Sequence, residues 1–170
     1  MRLKLVSVPF SGTRFLRKIL EENGRTPDEE IHTFVQAMWP QWFQEGPVIC
    51  PIRDPMLHAI GIINRGKDHS LNMRLQDFDV LASLATDQTH FFPIDTHDRE
   101  GETKKLATFL GLGTVTIDWT PVGTIEDRTG LRAKYMADGI APKAWTDQVG
   151  WPARQLLRSL GYSHLKWLDA

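Results

Sequence analysis

The chain has 170 residues, 41% of them hydrophobic and 24% charged, which suits one globular domain and excludes both a disordered chain and two full domains. With 20 Lys and Arg against 21 Asp and Glu, there is no net cationic field to favour a nucleic acid, so no such partner is expected from bulk charge. Cys50 is the sole cysteine, which excludes an intramolecular disulfide framework and a cysteine zinc cluster and fits a reducing compartment.

The N-terminal apolar run is too short for a signal peptide, and no stretch reaches the roughly 18 apolar residues of a membrane span. The expectation is a cytoplasmic protein without membrane attachment. Leu3 to Val8 is an apolar run closed by Pro9 and Ser11-Gly12-Thr13, the pattern of a buried strand entering a tight turn. From Thr13 the period changes. Phe15, Leu16, Ile19 and Leu20 fall at helical spacing, with Arg17, Lys18, Glu21 and Glu22 opposite and Gly24 as a stop.

Ile31 to Val35 reads as a second short strand, and Pro40 as the start of a helical turn carrying Trp42 and Phe43. Val48 to Ile52, bounded by Pro47 and Arg53, has the continuous apolar character of a strand covered on both faces. Asp54-Pro55 reads as N-cap and first residue of a helix through about Ile63. Phe78, Leu81, Leu84 and Ala85 predict another helix, and His90 to Ile94 a strand ending at Asp95. Leu106, Phe109 and Leu110, closed by Gly111, predict the next helix. Beyond Thr114 to Ile117 the chain turns irregular, before a last helix near Pro152 to Leu160. Strands alternating with helices imply one three-layer α/β domain over residues 1–170, with a central, mainly parallel sheet flanked by helices.

In such sheets ligands bind beyond the carboxyl ends of the strands. The residues there are Ser11-Gly12-Thr13-Arg14, His32-Thr33, Arg53-Asp54 and Asp95. Small residues at a strand-to-helix turn let backbone N–H groups face an anion, and the helix N-terminus adds about half a positive charge. The first loop is therefore a candidate phosphate cradle of P-loop type. It lacks the Walker lysine, because Thr13 follows Gly12.

Simpler readings stand beside these. Thr13 serves as a helix cap, His32 as a half-buried structural histidine, Asp54 as a cap and Arg53 as the partner of a carboxylate. Trp39 and Trp42 suit the core or an acceptor-pocket wall. Asp95 suits a loop-ordering hydrogen bond better than a contact to Thr13 or a metal. His58, His69, His90, His97 and His164 have no metal-ligand spacing and read as structural, so no bound metal is expected.

The segment VSVPFSGTRFL resembles the phosphosulfate loop of PAPS-dependent sulfotransferases, commonly Y-P-K-S-G-T-T-W. ICPIRDPMLHAIGIINR is similar to that family's R-[DN]-P motif, where a strand ends and a helix opens. A His-Thr pair lies between them, where cytosolic members keep their base, and FFPIDTHDREGETKKLATFLGL resembles the family's strand ending in an acid before a helix ending F-[LV]-G. The resemblance covers about residues 3 to 112. It implies that Ser11, Gly12 and Thr13 bind the 5′-phosphate of PAPS or its product PAP, that Phe15 stacks on adenine, that Arg53 contacts the 3′-phosphate, and that His32 is the base for an acceptor hydroxyl.

Departures from the family's pattern are specific. Phe10 stands where the family has its loop lysine, leaving Arg14 as the nearby cation in the motif. Gly61 replaces a serine of the 3′-phosphate site, with Asn64 or Arg65 one turn later as substitutes. The late R-K-G element has only a loose echo in Arg128-Thr129-Gly130. The expected function is sulfuryl transfer from PAPS to a small-molecule or glycan hydroxyl. The alternatives are a nucleotide or nucleoside kinase, with Asp54 or Asp95 holding Mg²⁺ and Arg14 or Arg65 on the γ-phosphate, and a non-catalytic relative that binds a nucleotide or protein partner.

Overall fold

Four short runs, three of them largely apolar, become the strands of one parallel sheet. The computed structural model describes residues 2–8, 11–32, 39–63, 71–123, 147 and 149–162. Strands β1 (Lys4–Ser7), β2 (Glu29–His32), β3 (Val48–Ile52) and β4 (Thr89–Pro93) lie in the order β2-β1-β3-β4. Every pairing is parallel. Between and after them run α1 (Thr13–Glu22), α2 (Trp39–Gln44), α3 (Pro55–Ile63), α4 (Leu71–Ser83), α5 (Arg99–Leu110), a 3₁₀ turn (Thr120–Val122) and α6 (Trp151–Ser159).

Alternation along the strands sorts side chains onto two faces. Leu5, Ile49 and Phe92 meet Leu16, Ile19 and Leu20 of α1 and Leu106 and Leu110 of α5 on one face. On the other, Val6, Val48 and Cys50 meet Phe43 of α2 and Leu81 of α4. Ile52 extends that second face into a cluster with Ala59 of α3, Phe78 of α4 and Leu157 of α6. These layers make the chain a three-layer α/β protein, and each fully buried Leu or Ile contributes about 2 kcal/mol of transfer free energy. Lys4 is the exception inside the second face. It is wholly buried, and its Nζ donates to the Trp42 carbonyl at 3.1 Å and to Glu45 Oε2 at 3.3 Å.

β2 starts two residues earlier than its apolar character suggests. It occupies the sheet edge, where Glu29 and Glu30 can sit in a strand while pairing with Arg2 and Arg17. The residues after His32 in the expected strand, Thr33 to Val35, lie outside the described residues. Pro51 sits inside a central strand, which proline ordinarily disfavours. β1 pairs with β3 only through Val48 and Ile49, so Pro51 lies beyond that ladder. Asp54 and Pro55 open α3 as expected, with His58 N–H donating to the Asp54 carbonyl at 2.9 Å.

Glycines in the left-handed region end three helices by the same double bond pattern. After α1, Gly24 N–H donates to Glu21 O and Arg25 N–H to Leu20 O; after α5, Gly111 and Leu112 repeat the pattern. After α6, Gly161 N–H donates to Arg158 O and Tyr162 N–H to Leu157 O, which turns the chain inward and buries Tyr162. The other end of α6 is capped from a distance. Asp79 of α4 accepts from Gly150 N at 2.8 Å and Ala153 N at 3.2 Å.

Candidate functional site

β1 continues through α1 to β2 on one side, while β3 lies on β1's other side and leads on to β4. The connections leaving the carboxyl ends of β1 and β3 therefore diverge, which is the topological switch point where open α/β sheets hold ligands. A pocket of about 170 Å³ lies there, lined by Gly12 and Phe15 from the first loop and helix, Arg53 after β3, Ile94 and Asp95 after β4, and Pro121 and Val122.

Gly12 is the N-cap of α1, at φ +103° and without a side-chain hydrogen bond. Thr13 is not the cap. Its Oγ1 donates instead to Ser7 Oγ at 2.7 Å, and both residues are buried, so the hydroxyl ties the helix start to the end of β1. Since Gly12 has no side chain to close this end, the N–H groups of the first turn keep their positive end of the helix dipole for another acceptor. Ser11 adds to this. Its Oγ is buried without a hydrogen-bond partner among the described residues, a condition that costs about 1–3 kcal/mol unless something else supplies the bond.

Arg53 is half-buried at the pocket. Among the described residues no carboxylate forms an ion pair with it, so the simple pairing reading has no partner there. Its neighbour is fixed. Asp95, 3% exposed, accepts from the Asp54 backbone N–H at 3.0 Å through Oδ2 and at 3.3 Å through Oδ1, and Tyr162 OH donates to Asp95 Oδ1. Asp95 therefore has the expected loop-ordering bond, and its partner is the loop after β3 rather than Thr13.

One wall rests on an aromatic stack. Phe15 lies 5.8 Å from Trp119, which in turn stacks on Phe92 at 5.8 Å and an interplanar angle of 16°. The Arg99 guanidinium sits 5.2 Å from the Trp119 ring and donates to the Gly123 carbonyl at 2.5 Å. Trp119 and Gly123 flank the 3₁₀ turn that brings Pro121 and Val122 to the pocket. Sequence reasoning missed Pro121, Val122 and Tyr162.

Of the other expected site residues, His32 ends β2 with its backbone in register with Ser7, at the same sheet end as the first loop; its side chain lies outside the described residues. Arg14 is exposed and does not line the pocket. Gly61 is buried within α3, also away from the lining. Phe10, Asn64, Arg65 and Arg128 to Gly130 lie outside the described residues.

Trp42 packs against the second face, and Trp39 has its side chain outside the described residues. His58 is buried edge-on to Phe78, and His97 is exposed. His90 stacks on Phe109 at 5.0 Å. Its burial, with a smaller contribution from Lys105, lowers its pKa to about 4. Burial alone pushes the Cys50 thiol well above its ordinary value, so it is inert as a nucleophile. His69 and His164 lie outside the described residues. Among the described residues no group of three His, Cys, Asp or Glu side chains could hold a metal ion, and no helix is long and apolar enough to cross a membrane.

Compared with known proteins, the chain matches no family model, no curated protein and no solved structure.

Proposed function

We propose that the protein is a sulfotransferase-like P-loop enzyme that binds PAPS and sulfates a hydroxyl on a small molecule or glycan. The observation that carries this reading is that Gly12, Phe15 and Arg53, from separate elements, line one pocket at the switch point. A helix start without a side-chain cap and a Ser11 hydroxyl with no partner among the described residues suit the 5′-phosphate. Arg53, ion-paired to no carboxylate among the described residues, suits the 3′-phosphate. Phe15, braced from behind by Trp119, offers a ring face for adenine.

The transfer forms a bond from the acceptor oxygen to sulfur as the phosphosulfate S–O bond breaks, and PAP leaves with that oxygen. His32 takes the acceptor's proton. Positioning and charge stabilisation supply most of the catalysis in such transfers. Phe10 in the lysine position removes one stabilising cation, a change that costs about 2–4 kcal/mol in the barrier. A slow enzyme is the expectation.

Thermal melting with ligand tests the reading. PAP at 100 times its Kd should stabilise the fold by about 2.7 kcal/mol, without magnesium. Protection by ATP only with Mg²⁺ would assign a kinase instead, and indifference to both nucleotides would sink the nucleotide reading. His32→Ala should abolish sulfation of a turned-over acceptor while leaving PAP protection intact.

A further inference from the structure

We propose that Tyr162 is a positioning residue for Arg53, acting through Asp95 and the peptide bond that joins Arg53 to Asp54. The role of Arg53 as an anion ligand rests on the function proposed above; the relay itself rests on geometry. Asp95 lines the pocket beside Arg53. A carboxylate in that position opposes an incoming phosphate, so its presence needs a reason. Its oxygens are turned to two donors, the Asp54 backbone N–H and the Tyr162 hydroxyl.

The Asp54 N–H belongs to the planar peptide unit that runs from Arg53 Cα to Asp54 Cα, so holding it fixes the backbone torsion at Arg53 from which the side chain departs. The neighbouring rung, Ile94 N–H to Ile52 O at 2.8 Å, anchors the same two chain segments just before the site. Tyr162 reaches Asp95 because Gly161, at φ +83°, turns the chain back after α6. Tyr162 and Asp95 are 1% and 3% exposed, so water does not readily replace either partner. The end of α6 thereby sets a residue of a pocket that α6 itself does not line.

Tyr162→Phe keeps the packed ring and removes only the hydroxyl. In the full-length chain, hydrogen exchange at the Asp54 amide should quicken about tenfold, with exchange in α5 unchanged. The ratio of PAP to adenosine 5′-phosphate affinity should fall severalfold, because only the first ligand carries the 3′-phosphate. Asp95→Ala, which leaves no acceptor, should quicken the same exchange, and in the double variant it should be no faster than in the worse single one, as expected for one relay. An unchanged Asp54 amide overturns the proposal, as does an equal loss for both nucleotides. If the unaltered protein binds neither nucleotide, the sulfotransferase reading fails, and the exchange experiment still decides whether Tyr162 holds the loop.

Discussion

Gly12 and Ile94 meet so closely that no side chain fits between them: a Cβ on Gly12 would lie 2.8 Å from Ile94 Cγ1. Gly12 also holds φ at +103°, where an L side chain is strained. Gly12→Ala should therefore lower stability by about 1–3 kcal/mol, measured by urea denaturation. Ile94→Ala, which removes Cγ1, should cost less in the Gly12→Ala chain than in the unaltered one, because it relieves the packing part and leaves the backbone part.

Arg53→Ala should weaken PAP by about 1.5–3 kcal/mol, the range for hydrogen bonds to charged groups. Adenosine 5′-phosphate should lose far less. Titration calorimetry with both ligands reads the difference, and equal losses would remove Arg53 from the 3′-phosphate.

The N-terminus of α6 depends on Asp79, which accepts two of its backbone N–H groups from α4. Asp79→Ala should cost about 1–2 kcal/mol in urea unfolding, as loss of a helix cap does. Asp79→Asn retains an acceptor and should cost less.

His90 should make the fold acid-sensitive. Its folded pKa of about 4 lies below the ordinary value of 6.5, so between these values the unfolded chain binds more protons. Stability is fully present above the upper value and is lost as pH falls toward the lower one, by up to about 3 kcal/mol. His90→Phe preserves the stack on Phe109 and removes Nε2, which is buried without a hydrogen-bond partner among the described residues. It should flatten the urea midpoint between pH 7 and pH 5, while an unchanged slope would place the acid sensitivity elsewhere.

Much of the layered architecture was legible because its signals are local. Val48 to Ile52 is buried at every position, so its apolar run carried its own assignment, and Gly24 and Gly111 announced the ends of α1 and α5. β2 starts two residues before the expected Ile31, because an edge strand needs little apolar content and Glu29 and Glu30 carry none. The first loop was legible as a turn, but the cap went to Thr13 rather than Gly12 because a hydroxyl is the commoner cap and the bond to Ser7 is tertiary. Pro121 and Val122 sit in a stretch without periodicity, positioned by the stack on Trp119. Tyr162 carried a local clue, the Gly161 stop signal, but its partner Asp95 is 67 residues away, beyond any spacing rule.

The sheet joins Lys4 to Glu29 and Val48 to Thr89, and each parallel pairing needs a crossover before its first backbone bond can form. Loop-closure entropy is met before the contacts that offset it, which makes such topologies slow to reach the native state. Refolding should therefore run in milliseconds to seconds rather than microseconds, with strand edges transiently open to other chains and aggregation rising with concentration during that interval.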